Sequence, residues 1–210
     1  DDKKLLKIAS GTAFFIDNKG RAISNNHVSN LCKKIKTKIN GNFYEGNVLS
    51  YDEANDLSLI EFEYNNDNFL YFDLDGPKLG EDVIAIGFPF VNVLREDVKI
   101  TKGIVSALSG LGSYSLIQID AEIQPGNSGG PLINYNGNVV GVVVARANEE
   151  FFLEETGVLP QNINFGIKSD TAIQFLKAQK IKIQSSFSVR KYETTEIAEL
   201  GQKSTIHIQC

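Results

Sequence analysis

Gly126-Asn127-Ser128-Gly129-Gly130-Pro131 is the stretch on which the reading of this chain turns. A serine packed among small residues can sit on a tight turn with its hydroxyl exposed, because glycine tolerates positive φ and close backbone approach. Its own N–H can then aim outward, an arrangement that suits a nucleophile beside amides receiving a developing negative charge. Glycine-rich hairpin turns in β proteins also carry serine, so the run needs company. It finds it upstream in His27, within Ser24-Asn25-Asn26-His27-Val28, and in Asp56, which opens Asp56-Leu57-Ser58-Leu59-Ile60-Glu61-Phe62.

Outward from that turn, alternation of apolar and polar residues dominates from 11 to 168. Thr12-Ala13-Phe14-Phe15-Ile16 runs into the polar, glycine-ended turn Asp17-Asn18-Lys19-Gly20 and then Arg21-Ala22-Ile23-Ser24, a hairpin signal. Further strands are expected at 35–39, 42–50, 57–62, 83–88, 97–108, 115–123, 131–135, 138–145 and 163–168. Turn chemistry at Asn40-Gly41, Asp75-Gly76-Pro77, Gly110 to Gly112 and Asn136-Gly137 separates many of them. Many short strands with little helix between them indicate an all-β barrel or sandwich. The pattern changes near Asp170, where Ser169 or Asp170 can cap a helix over 170–180 that buries Ile173, Phe175 and Leu176. A short strand at 186–190, a weak helix from Thr194 or Thr195 to Leu200 with Gly201 as its stop, and a strand at 205–210 complete the chain. A lobe boundary is expected in 89–97, where Pro89 and charged residues follow an apolar strand.

With 210 residues, 42% of them apolar and 10% aromatic, the chain has material for one large domain or two small lobes around a real core. No apolar run approaches the roughly 20 residues of a membrane-spanning helix. A net charge of -5 gives no reason to expect nucleic acid. Lys33, Lys34, Lys36 and Lys38, interleaved with Ile35 and Ile39, read as the wet face of a strand. The two histidines and two cysteines lie far apart in sequence, so neither a metal site nor a cofactor is expected. The sequence contains no Met and starts Asp1-Asp2-Lys3-Lys4, which fits a polar start after removal of an export signal. Cys32 and Cys210 are either two free thiols or one disulfide tying the last strand to the region after His27. The second reading requires an oxidising compartment.

Taken singly, each candidate residue has a bland alternative. A histidine near a strand end is commonly structural, and an aspartate before an apolar strand is commonly a turn or cap residue. Together they make a chemical set. Histidine can accept the serine proton and return it to a leaving amine, since its ordinary pKa of about 6.5 lies near working pH. It needs a fixed tautomer, which a semi-buried carboxylate at the mouth of a strand can impose.

The chain resembles the trypsin-like peptidases of the chymotrypsin fold, most closely their HtrA/Deg branch. Ser10 to Ile16 through Asn25-Asn26-His27-Val28, Asn55-Asp56-Leu57-Ser58-Leu59-Ile60, and Gln124 to Leu132 carry the resemblance. Val83-Ile84-Ala85-Ile86-Gly87-Phe88-Pro89 and Gly103-Ile104-Val105-Ser106 follow the same course, so the likeness covers about residues 10–180. The resemblance implies two six-stranded antiparallel β barrels with the active site between them, a C-terminal helix, and a short αβ tail. The peptidase domain would span 1–180, with lobe 1 at about 10–90 and lobe 2 at about 97–168. Residues 181–210 would form an extension packed on the barrels. It further implies Ser128 as nucleophile, His27 as general base and acid, and Asp56 as the orienting carboxylate. An oxyanion hole would form on the turn Gly126-Asn127-Ser128, through the N–H groups of Gly126 and Ser128. Asn127 stands where many relatives that are made as zymogens carry Asp, so activation by a new N-terminal amine is not expected. Residues 181–210 are too few for the PDZ domain usual in the HtrA branch. Residues 1–10 leave little room for its trimer-forming segment, so a monomer is expected.

By the same resemblance the pocket for the residue before the scissile bond is walled by 121–125, 142–145 and 164–167. Ile123, Val143, Ala145, Phe165 and Ile167 would line it, implying a small or medium aliphatic preference. Glu122, six residues before Ser128, opens a basic preference instead, but alternation along Ile117, Ile119, Ala121 and Ile123 turns it to the opposite face. The implied activity is an exported, periplasmic or secreted, serine endopeptidase acting on polypeptides, with a role in protein quality control. A silent member of the same fold that only binds protein is the competing reading. An esterase of the α/β-hydrolase kind lacks its βα alternation here.

Overall fold

The computed structural model describes residues 9–144, 157, 161–184 and 190–210. Its strands are β1 (Ser10–Phe15), β2 (Arg21–Ser24), β3 (Ile35–Ile39), β4 (Asn42–Asp52), β5 (Leu57–Phe62), β6 (Tyr71–Phe72), β7 (Asp82–Gly87), β8 (Lys99–Ala107), β9 (Leu116–Ile119), β10 (Pro131–Asn134), β11 (Asn138–Val144), β12 (Asn164–Lys168) and β13 (Thr205–Gln209). The helices are α1 (Asn26–Ser29), α2 (Ser169–Ala178) and α3 (Thr194–Ser204). Six strands close a first barrel in the order β1-β13-β3-β4-β5-β2. A second sheet runs β10-β7-β8-β9-β12-β11, and pairing of β10 with β11 closes it into another six-stranded ring, with β6 laid parallel on β11. The two-barrel architecture agrees with the sequence reading.

Strand alternation sorts the apolar residues into three cores. Ala13, Phe15, Ala22, Ile35, Ile60, Phe62, Ile206 and Ile208 fill the first barrel. Val83, Ala85, Val105, Ile117, Ile119, Leu132, Val140 and Val143 fill the second. Their outward-facing neighbours Phe14, Ile23, Leu57, Leu59, Ile84, Ile86, Ile133, Val142 and Ile167 form a third core, between the barrels and beneath the two longer helices. Burying a side chain of this size stabilises by roughly 1.5–3 kcal/mol, so three such cores carry most of the folding energy.

Several expectations about organisation change. Asp82–Gly87, assigned to the first lobe from sequence, pairs antiparallel with β8 inside the second barrel. Pro89 and the charges after it mark a connection within that barrel, and the passage between barrels lies earlier, between Phe62 and Tyr71. The final strand is not laid on the barrels: β13 is a stave of the first one, pairing Gly11 with Ile208 and Ile208 with Thr37. Gly201 does not stop the last helix, which continues to Ser204. A methyl built on Gly201 would meet Ile86 Cδ1 at 2.1 Å, so the glycine is there to let α3 approach β7. No side chain caps the N-terminus of α2, although Ser169 and Asp170 are its first residues. The strand expected at 186–190 falls almost wholly outside the described residues, as does Ala145.

Candidate active site

The turn before β10 docks on the first barrel through the backbone. Thr12 of β1 donates its N–H to the Ser128 carbonyl at 2.9 Å, and its hydroxyl donates to the Gly126 carbonyl at 2.7 Å. A methyl on Gly129 would lie 2.2 Å from the Thr12 carbonyl oxygen, so only glycine permits that approach. Gly126 has φ +105°, and a methyl there would stand 2.5 Å from the Phe88 carbonyl oxygen. The glycines of the run are therefore fixed by conformation and by space.

His27 rides on α1, a single turn whose first N–H groups need acceptors outside the helix. Asp56 supplies them: its carbonyl accepts from Asn26 N–H at 3.1 Å and its Oδ1 from His27 N–H at 2.9 Å. The Asn25 side-chain amide donates to the same carbonyl at 3.0 Å. Asp56 sits at φ +53°, a left-handed conformation that Asp and Asn adopt more readily than most residues. Its other carboxylate oxygen, Oδ2, lies 2.7 Å from His27 Nδ1. A carboxylate only accepts, so Nδ1 carries the proton and Nε2 presents a lone pair. That Nε2 lies 3.1 Å from Ser128 Oγ. The three side chains, from two barrels and separated by up to 101 residues, thus form one hydrogen-bonded line from hydroxyl to imidazole to carboxylate. Such a line can take a proton off the serine as its oxygen attacks an electrophile.

Asn127 N–H donates to the Gln124 carbonyl at 3.0 Å, so this amide is engaged within the turn, and the expected donors are those of Gly126 and Ser128. Gly126 N–H has no acceptor among the described residues. The neighbouring Pro125 carbonyl accepts from Phe90 N–H at 3.1 Å, and this bond sets the plane of the peptide that carries the Gly126 amide.

The residues expected to line a specificity pocket are divided among different packing environments. Val143 is fully buried in the second barrel's core, with Ile123 partly buried against it. Ile167 belongs to the core between the barrels. Phe165 fills the space over Gly110, where an added methyl would meet its ring at 2.6 Å. The strands are buried on both faces, so alternation does not distinguish a pocket wall from a core position. Glu122 is exposed and accepts from the Gln124 side chain at 3.1 Å, as its place opposite Ile123 predicts.

Cys32 and Cys210 form a disulfide, which ties the end of β13 to the residues just after α1. Among the described residues no cluster of three or more His, Cys, Asp or Glu could hold a metal ion, and no helix is long and apolar enough to cross a membrane. Sequence reasoning missed Thr12 and Asn25, which brace the turn and the aspartate. Both lie inside the stretches that carry the resemblance, the one signal that could have found them.

A second serine–histidine–carboxylate line occurs in the molecule. Ser10 Oγ lies 2.7 Å from His207 Nε2, and His207 Nδ1 contacts the Glu96 carboxylate. Its surroundings differ. The His207 side chain is 3% exposed against 18% for His27, and Ser10 sits in an extended strand with no glycine turn to present amides.

The family model described as "Trypsin-like peptidase domain" matches residues 11–142. An uncharacterized protein, y4bJ, of Sinorhizobium fredii is 35% identical over 204 residues, covering 96% of this chain and 32% of that protein. A probable periplasmic serine endoprotease, DegP-like, of Chlamydia pneumoniae is 37% identical over 142 residues, covering 64% of this chain and 28% of its own length. The chain thus spans about a third of the curated relatives it matches. In structure, it is similar to the serine endoprotease from Yersinia pestis, with a TM-score of 0.69 and 27% identity, covering 84% of this chain and 59% of that one.

Proposed function

Because the chain belongs to the trypsin-like peptidase family, we propose that it is a serine endopeptidase that works through an acyl-enzyme on Ser128. The observation that carries the reading is the continuous line Ser128 Oγ to His27 Nε2 at 3.1 Å and His27 Nδ1 to Asp56 Oδ2 at 2.7 Å. Ser128 Oγ attacks the scissile carbonyl carbon while His27 Nε2 takes the hydroxyl proton. Asp56 holds the imidazole in the required tautomer and supports its positive charge. His27 then protonates the leaving amine nitrogen, which departs with the C–N bond electrons. Water, deprotonated by His27, attacks the acyl carbon and returns the serine. The Gly126 N–H, with that of Ser128, receives the oxyanion, an interaction worth about 10²–10³ in rate per donor.

Unfolded polypeptides outside the cytoplasm are the proposed substrates, in a quality-control role. The disulfide supports that location, because such bonds persist in oxidising compartments. The periplasmic designation of the DegP-like relatives points the same way. A small or medium aliphatic residue before the scissile bond is proposed on the partly buried Ile123 beside the turn and on the outward placement of Glu122. Labelling with a fluorophosphonate and peptide mapping tests the core of the reading. An adduct on Ser128, lost in Ser128→Ala and His27→Ala, is expected. A protein that cleaves no unfolded polypeptide and takes no label would be a binding module instead. A peptide-library screen tests specificity, and strong Lys or Arg preference would overturn the aliphatic assignment.

A further inference from the structure

The serine–histidine–glutamate line outside the active site reaches the oxyanion turn through one segment, residues 88–96. At the near end, Phe88 N–H donates to Thr12 Oγ1 at 3.0 Å, the same hydroxyl that holds the Gly126 carbonyl. Two residues on, Phe90 N–H holds the Pro125 carbonyl at 3.1 Å. Phe90 does so with φ +50°, and its own carbonyl accepts from Val93 and Leu94 N–H at 2.9 and 2.7 Å. The peptide planes on both sides of Gly126 are therefore oriented by what this segment and Thr12 hold.

Beyond the buried Phe88 and Pro89, little burial keeps the segment in place. Phe90, Val93 and Leu94 are 43%, 85% and 46% exposed, so the apolar residues of its bend contribute little anchoring. Lys99 Nζ donates to the Arg95 and Asp97 carbonyls at 2.5 and 2.7 Å, and both ends of the segment meet one imidazole of β13. The Phe88 ring lies 5.7 Å from the His207 ring, centroid to centroid, and Glu96 contacts His207 Nδ1. Ser10 Oγ fixes the opposite ring nitrogen, and Gln209 Nε2 stands 3.3 Å from Nδ1. His207 is thus a buried pin, held by β1 on one side and holding the exposed segment on the other.

We infer that Glu96 and His207 are positioning residues for the proposed peptidase reaction, clamping segment 88–96 so that Phe90 and Thr12 hold the Gly126 amide toward the oxyanion. The inference rests on the serine-peptidase reading of Ser128. Breaking the Glu96–His207 contact lets the segment move, and the Pro125–Gly126 peptide with it. Substrate binding on other surfaces is left intact, so the loss falls on kcat.

The test compares wild type with Glu96→Ala, Glu96→Gln and Asp97→Ala, each confirmed folded by thermal unfolding. Glu96 is 39% exposed at its side chain, so its replacement leaves no core cavity. Fluorophosphonate labelling rate, kcat and KM on an unfolded polypeptide substrate are read for each. A fall of about ten- to a hundredfold in kcat and in labelling rate for Glu96→Ala is expected, with KM within about twofold. Glu96→Gln, whose amide oxygen still accepts from Nδ1–H, recovers most of that loss, and Asp97→Ala matches wild type. Equal kcat and labelling in Glu96→Ala and wild type would overturn the inference while leaving the peptidase reading standing. So would a loss confined to KM, or one that Glu96→Gln does not recover. Absence of label on wild-type Ser128 would remove the peptidase reading and the inference with it.

Discussion

Asp56 combines two tasks at one carboxylate: Oδ1 caps the turn that carries His27, and Oδ2 holds the His27 ring. An asparagine keeps the left-handed backbone but presents one donor, so one of the two N–H groups of His27 loses its acceptor. Asp56→Asn is therefore expected to fold and to lose about 10⁴ in kcat, the cost of holding the histidine of a serine–histidine–aspartate triad in the wrong tautomer. Steady-state kinetics beside a circular dichroism spectrum check both halves. At Gly126 the constraint is backbone rather than charge. Alanine there opposes φ +105° and crowds the Phe88 carbonyl, so Gly126→Ala should displace the amide and cost about 10²–10³ in kcat. Unchanged kcat in that variant would remove Gly126 from the oxyanion site. These contacts were partly legible beforehand. The types and order of His27, Asp56 and Ser128 stood in the sequence, whereas the engagement of the Asn127 amide by Gln124 depends on how the turn closes.

At the scale of elements, α3 shows how packing overrides a local signal. Glycine in a helix interior ordinarily costs about 0.5–1 kcal/mol relative to alanine, so exchange for alanine would stabilise an isolated helix. Here a methyl at 201 would stand 2.1 Å from Ile86, and overpacking of this kind costs about 1–3 kcal/mol. Gly201→Ala is expected to be net destabilising in urea unfolding; a stabilised variant would show that α3 lifts off β7 freely. The start of α3 obeys local rules instead. Glu193 and Glu196 form a reciprocal capping box, with Glu193 N–H donating to Glu196 Oε2 at 2.9 Å. Strand edges read well for the same reason. β3 and β5 match 35–39 and 57–62, because alternation and turn residues are properties of consecutive positions.

Across the whole molecule, the active-site candidates lie on the seam between two closed sheets, and the seam is held by backbone contacts from β1 and by the core between the barrels. β13 bears on both halves of that site. Its neighbour Cys210 is bonded to Cys32 beyond α1, and its His207 contacts the segment that reaches the Ser128 turn. The disulfide closes a loop with a sequence separation of 178, for which the chain-entropy model gives roughly 5 kcal/mol. Cys32→Ser/Cys210→Ser should lower unfolding free energy by that order in urea, and wild type treated with reductant should follow it. Equal stability of the double variant and wild type would show that pairing in the first barrel suffices to hold β13.

Alternation, turn residues and the order of His27, Asp56 and Ser128 were determined by the sequence alone, because each depends on neighbours a few positions apart or on side-chain chemistry. Only the tertiary structure decided that Asp82–Gly87 belongs to the second barrel, that Thr205–Gln209 closes the first, that Val143 and Ile167 serve cores, and that Phe165 packs over Gly110. The physical reason is pairing. A strand buried on both faces carries the same apolar pattern whichever sheet accepts it, and its place is settled by backbone hydrogen bonds to residues as distant as Gly11 and Ile208.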